Sequence, residues 1–93
     1  MVNITLYTRK NCHLCDDVKA DLAALQEKYP HRLAEIDIES DSALLAAHKE
    51  TIPVVEVGPY VLRAPISKQD LAMTIGAAID RQDQLERTGD DLY

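Results

Sequence analysis

Two cysteines are too few for a disulfide-stapled secreted mini-protein, which usually carries more. Basic residues are also scarce. Ten Lys and Arg stand against 16 Asp and Glu, giving a formal net charge of −6. That balance argues against a sequence-independent grip on nucleic acid phosphates and against docking on an anionic membrane surface. No apolar run is long enough to span a bilayer. No basic stretch followed by an apolar one opens the sequence, so no secretory leader is expected and a reducing, cytoplasmic location is the default. No internal repeat or linker interrupts the 93 residues, so a single domain over 1–93 is expected.

What is present reads as alternating strands and helices. Val2–Thr8 alternates apolar Val2, Ile4 and Leu6 with Asn3, Thr5 and Tyr7, which is a strand pattern. A polar loop, Arg9–Asn11, follows. From about Leu14 to Tyr29, apolar Val18, Leu22, Leu25 and Tyr29 recur at helical spacing. Asp16 and Asp17 sit in the first turn, where the helix dipole favours acids, and Pro30 is the expected stop. Arg32–Ile38, with Leu33, Ile36 and Ile38, reads as a second strand. Strand, helix and strand make a βαβ unit, which implies parallel pairing through a right-handed crossover.

Ser40–Ser42 offers N-caps for a short helix over Ala43–Lys49. Thr51-Ile52-Pro53 breaks the chain. Val54–Val57 and Tyr60–Arg63 read as a hairpin turning at Gly58-Pro59. Ser67 and Asp70 form a capping-box pattern, with Asp in place of the usual Glu or Gln, ahead of a helix carrying Leu71, Ile75, Ala78 and Ile79. Gly89 is a plausible stop for that helix. Beyond Ile79 the chain is charged, with Leu85 and Leu92 isolated, and a solvated helix end with a loose tail is expected. The order β-α-β-α-β-β-α predicts an α/β fold with a four-stranded mixed sheet covered by helices.

Cys12-His13-Leu14-Cys15 falls between the first strand and the first helix. Reactive groups in open α/β sheets gather beyond the carboxyl ends of strands. Residues three apart on a helix share a face, with Cβ atoms about 5–6 Å apart. A disulfide needs Cα atoms about 4.4–6.8 Å apart, so this pair can open and close with little backbone movement. Cys12 is expected at the exposed helix N-terminus, where free N–H groups and the dipole stabilise a thiolate. Cys15 lies one turn deeper and is expected to be buried, with a higher pKa. Cys12 is therefore the candidate nucleophile and Cys15 the resolving thiol of a thiol–disulfide oxidoreductase.

Arg9 and Lys10 add positive charge that could draw an anionic thiol or simply solvate a loop. His13 either tunes the thiolate or is solvated in the first turn. His31 and His48 read as surface residues. Glu35, Asp37 and Glu39 read as the solvated face of the second strand, and Tyr7 and Tyr60 as packing residues with a cleft as the alternative. Two other functions remain open. A metal site on Cys12 and Cys15, with His13 or a second chain completing it, must reach the four ligands zinc normally takes. An iron–sulfur cluster bridging two chains is a variant of that idea. The remaining alternative is a redox-inert interaction module.

The stretch Leu6-Tyr7-Thr8-Arg9-Lys10-Asn11-Cys12-His13-Leu14-Cys15 resembles the opening of glutaredoxins and short glutaredoxin-like redoxins. Thr51-Ile52-Pro53-Val54-Val55 resembles the second motif of that group, and the two together point to the thioredoxin superfamily up to about Ile79. The resemblance implies a thioredoxin-like fold and a cis Pro53 facing the dithiol. It also implies that Thr51 and Ile52 offer backbone groups to an extended peptide or to glutathione. The sequence departs from typical members in three places. His13-Leu14 replaces Pro-Tyr between the cysteines, Leu6 stands where thioredoxins place a buried acid, and Leu62-Arg63-Ala64-Pro65-Ile66-Ser67 lacks the Gly-Gly turn of glutathione-binding members, with Asp70 standing in for their acid. The expected partners are protein or low-molecular-weight disulfides. Glutathione, as a co-substrate, or a thioredoxin-reductase-type enzyme would be the electron donor. No bound cofactor, metal, nucleic acid or membrane is expected, and the chain is expected to act as a monomer.

Overall fold

Four strands form one sheet in the order β2-β1-β3-β4, with β1 Val2–Thr8, β2 His31–Asp37, β3 Val54–Val57 and β4 Tyr60–Arg63. The computed structural model describes the backbone of residues 1–91, with side chains as far as Leu85. β1 pairs in parallel with β2 and antiparallel with β3, and β3 pairs antiparallel with β4, so the sheet is mixed. The helices are α1 His13–Ala24, α2 Ser42–His48 and α3 Lys68–Asp91, with a 3-10 turn over Ile38–Ser40.

Alternation along the strands decides which residues enter the core. Val2, Ile4 and Leu6 point to one face of β1 and share it with Val55 and Val57 of β3. Val18, Leu22 and Leu25 from the α1 segment, with Leu71, Ile75 and Ala78 of α3, close over that face. The other face carries Tyr7 and receives α2, whose His48 ring stacks on Tyr7 with centroids 4.7 Å apart. The βαβ unit brings the loop after β1 directly onto the start of α1, which is where the cysteines lie.

Local signals explain the element starts. Asp41 Oδ1 accepts from the Ala43 N–H at 2.7 Å and caps α2. Ser67 Oγ accepts from the Asp70 N–H at 3.0 Å, and Asp70 Oδ2 accepts from the Ser67 N–H at 3.3 Å, which is a reciprocal capping box. Gly58 turns the hairpin at φ 55°, in the left-handed region. A Cβ there would meet no atom within 4 Å, so only backbone strain opposes a side chain. Gly58→Ala is expected to lower stability by about 1–2 kcal/mol in a urea titration, and an unchanged midpoint would show that the hairpin relaxes instead.

Several expectations need correction. α1 ends at Ala24, not Tyr29, because the chain tightens into i→i+3 turns. Leu25 N–H reaches Leu22 O at 3.2 Å, and Gln26 N–H reaches Ala23 O at 3.3 Å. The apolar spacing of Leu25 and Tyr29 survives because those turns keep both on the core side.

His31 is buried rather than on the surface. It opens β2 opposite Val2, and its Nδ1–H donates to Tyr29 O at 2.7 Å. β2 is an edge strand, so Leu33 stays 36% exposed, and the buried Ile38 lies in the 3-10 turn beyond the strand. α3 continues as helix through Gly89 to Asp91. One interior glycine costs only about 1 kcal/mol against alanine, which does not by itself end a helix. The reading placed on Leu92 lies outside the described residues.

Candidate functional site

The site is built where β1 meets α1. Asn11 adopts a left-handed backbone at φ 60°, which asparagine tolerates better than most residues. That turn delivers Cys12 as the N-cap of α1, with φ −102° and ψ 102°. Nothing in the residue pattern marks Asn11 for this role beyond its place in a polar loop. Asn11→Val is expected to cost about 1–2 kcal/mol in a denaturant titration and Asn11→Gly almost nothing. Equal stability of the two variants would show that the loop does not need this conformation.

Cys12 and Cys15 are joined as a disulfide, with Cα atoms 5.2 Å apart. Cys12 is partly exposed and Cys15 is 2% exposed. The Cys15 N–H, one of the helix's free first-turn donors, points at Cys12 Sγ at 3.2 Å. Cys12 O accepts from the Asp16 N–H at 3.1 Å and starts the helical ladder. The sulfur nearer solvent therefore sits at the positive end of α1 with a donor aimed at it, an arrangement that favours a thiolate once the bond is opened.

The remaining sequence candidates divide. His13 and Leu14 are exposed in the first turn between the cysteines. Lys10 is exposed in the loop. Arg9 is engaged, because its Nη2 and Nε donate to Glu39 Oε1 at 2.8 and 3.0 Å. Glu39 and Glu35 are thus more than a solvated face, since Glu35 also pairs with Lys19 at 3.1 Å and Asp37 Oδ1 accepts from the Glu39 N–H at 2.9 Å. Both ion pairs are near the surface and contribute little to stability.

The Ile52–Pro53 peptide bond is cis and Pro53 is buried. The Thr51 and Ile52 N–H groups both donate to His48 O, at 3.0 and 3.1 Å, and Thr51 Oγ1 adds a third bond at 3.3 Å. These bonds close the end of α2 and occupy both N–H groups. Asp70 is held in the capping box of α3. Leu6 is fully buried, so no acid stands behind the dithiol at that position.

A cleft of about 110 Å³ adjoins the motif between Leu14, Asp17, Pro53, Ala64, Pro65 and Ile66. The Ala64–Pro65 bond is also cis. Asp17, Pro65 and Ile66 were not singled out from the sequence as site residues. Pro65, standing where glutathione-binding members carry glycine, was the available signal. A larger cleft of about 210 Å³, between Met1, Gly58, Pro59 and Leu85, lies at the opposite end of β1 from both cysteines. Tyr60 lines a separate groove with Leu62 and Met73 on the β4 side.

Tyr7 is half-buried, opposite Val54 in the sheet and stacked on His48. Hydrogen bonding to Glu56 raises its pKa above the usual 10.0, with burial and the Glu56 charge adding to the effect. The neutral phenol is the form favoured by folding. Its stabilisation is present below pH 10 and is lost as the pH rises through the higher folded value. In a phenolate absorbance titration, one tyrosine of the folded protein is expected to ionise late. Glu56→Gln should move it back toward 10.0, and an unchanged curve would remove Glu56 as the cause.

Among the described residues, no group of three or more His, Cys, Asp or Glu is placed to hold a metal ion. Nor is any described helix long and apolar enough to cross a membrane.

A four-stranded mixed sheet with three helices and a Cys-x-x-Cys at the head of α1 is a thioredoxin-like α/β fold. Residues 3–76 match the glutaredoxin-like domain (DUF836), and the chain belongs to that family. It is similar to protein XcR50 from X. campestris, with 30% identity over 80% of this chain and 96% of that one, at a TM-score of 0.69. Protein Ne2328 from Nitrosomonas europaea is similar at 24% identity over 77% and 88%, with a TM-score of 0.66. A mutant thioredoxin from Halobacterium salinarum shares the fold at 18% identity over 83% and 74%, also at 0.66. No curated protein matches the chain.

Proposed function

We propose that the protein is a thiol–disulfide oxidoreductase in which Cys12 attacks and Cys15 resolves. The observation that carries this reading is the pairing of an accessible N-cap sulfur with a buried one a helical turn away, 5.2 Å between Cα atoms. The accessible sulfur can meet a substrate disulfide, and the buried one is protected from it until Cys12 is in a mixed disulfide. Family membership and the shared thioredoxin-like fold support the same reading. The substrates are disulfides of proteins or small molecules in a reducing, cytosol-like compartment. Electrons that reset the pair come from glutathione or from a thioredoxin-reductase-type enzyme.

Equilibration in graded redox buffers followed by thiol labelling tests this. A potential between about −270 and −180 mV is expected, the range of working oxidoreductases. A pair locked below about −300 mV would be structural and would end the proposal. Mass spectrometry of the same samples separates the two donors. A glutathione adduct on Cys12 points to glutathione, and its absence to the reductase.

A further inference from the structure

We propose that the cleft beside the dithiol reads the substrate. It takes an aliphatic side chain next to the reactive cysteine of a polypeptide disulfide and favours a Lys or Arg neighbour. The inference rests on the oxidoreductase reading and names the substrate class of that site.

Size sets the first limit. A cavity of about 150 Å³ admits a benzene molecule. The 110 Å³ here suits one branched aliphatic side chain and cannot enclose a tripeptide. Chemistry sets the second. Leu14, Pro53, Ala64, Pro65 and Ile66 present only carbon from their side chains, and Leu14 is 59% exposed between the two cysteines. Burying such surface is favourable, and a docked aliphatic group would cover it.

Charge sets the third. Among the described residues, Asp17 is the only charged one on the lining, and no cation is paired with it. Arg9 is paired with Glu39, and neither Arg9 nor the exposed Lys10 lines the cleft. Glutathione, which is anionic, would face a carboxylate and an apolar wall. A basic, aliphatic segment finds complementary charge and surface, on a protein of net charge −6.

The reaction balances without a further reactant. The Cys12 thiolate attacks one sulfur of the substrate, the substrate S–S bond breaks, and the departing thiolate takes a proton. Cys15, giving up its proton to water, then attacks the Cys12 sulfur and releases the second substrate thiol. The protein dithiol is oxidised to the Cys12–Cys15 disulfide, and the substrate disulfide is reduced by two electrons.

The test uses full-length protein, pre-reduced and mixed in single turnover with disulfides of three peptides of equal length. Their cysteine is flanked by Leu and Lys, by Ser and Lys, or by Leu and Glu. Glutathione disulfide is a fourth substrate. The Leu/Lys peptide is expected to react about 10-fold faster than Ser/Lys. It should also react about 10-fold faster than Leu/Glu at low salt, with that gap shrinking as salt is added. Leu14→Ser and Ile66→Ser should each reduce the first ratio, and Asp17→Lys should reverse the second. Because each ratio compares two peptides within one variant, general effects on the dithiol or the fold cancel. Equal rates for all peptides in the unaltered protein, or ratios that no variant moves, overturn the inference and leave the oxidoreductase reading standing. No exchange with any of the four disulfides overturns both.

Discussion

Cys12→Ser is expected to abolish disulfide exchange, with a fall of about a thousandfold or more to the buffer background. A serine hydroxyl is a weak nucleophile at neutral pH unless a base activates it. Among the described residues, no histidine or carboxylate hydrogen-bonds to Cys12, whose sulfur receives the Cys15 N–H. The side chains around Cys12 should matter far less. Lowering a thiol from pKa ~8.5 to ~6.5 raises its thiolate fraction at pH 7 about 25-fold. Intrinsic nucleophilicity falls roughly 10-fold over the same range, so attack gains only about 2–3-fold. Neutralising Lys10 is accordingly expected to change the rate by no more than about 2–3-fold.

Cys15→Ser should behave differently from both. First attack survives, resolution fails, and the mixed disulfide accumulates on Cys12. Stopped-flow exchange with mass spectrometry of the quenched products reads all three variants. If Cys12→Ser retained the exchange rate of the unaltered protein, Cys12 would not be the nucleophile.

The second large effect concerns the core. Leu6→Ala is expected to cost about 3–4 kcal/mol, the range for emptying a fully buried leucine site. Leu6 is 0% exposed on the strand between β2 and β3, inside the cluster that α1 and α3 close. For a domain of this size each kcal/mol moves the melting temperature by about 4–8 °C, so a drop of roughly 12–30 °C is expected by calorimetry. Total stability of a 93-residue domain is on the order of 5–14 kcal/mol, so this variant would lose a large share of it. Leu85→Ala, at a side chain 57% exposed, should stay within about 0.5 kcal/mol. A Leu6→Ala melting temperature equal to that of Leu85→Ala would mean that the sheet is not packed as described.

The correct and incorrect sequence readings separate by the range of the interactions behind them. Val54–Val57 and Tyr60–Arg63 were legible because a hairpin is specified by its alternation and by the Gly58-Pro59 turn between the strands. The Ser67–Asp70 capping box was legible because both partners lie within four residues. The helical spacing of Leu25 and Tyr29 runs past the end of α1 because isolated turns, with a 3.3 Å Gln26 N–H to Ala23 O bond between them, keep that spacing after the regular helix stops. His31 was misplaced because nothing near it in sequence reveals that it starts β2 opposite Val2.

The candidate site follows the same division. Its reactive pair was legible, since Cys12 and Cys15 are set by one strand-to-helix junction. Arg9 was read as available charge, and its partner Glu39, 30 residues away, was visible only once β2 lay beside β1. Thr51 and Ile52 were read as offering backbone groups, and the end of α2 proved to take their N–H groups.

The alternation of strands and helices, the placing of two cysteines at the head of a helix, and the deeper position of Cys15 are all legible in the residue order. Those features depend on hydrogen bonds and side-chain spacing within a few residues. Which charges are already paired, and which walls stand beside the dithiol, emerged only from the folded chain. Those depend on pairs such as Arg9 with Glu39, and on Leu14, Pro53 and Pro65 lining one cleft. Only the tertiary fold brings these residues together, because local backbone preferences carry no information about partners so distant along the chain.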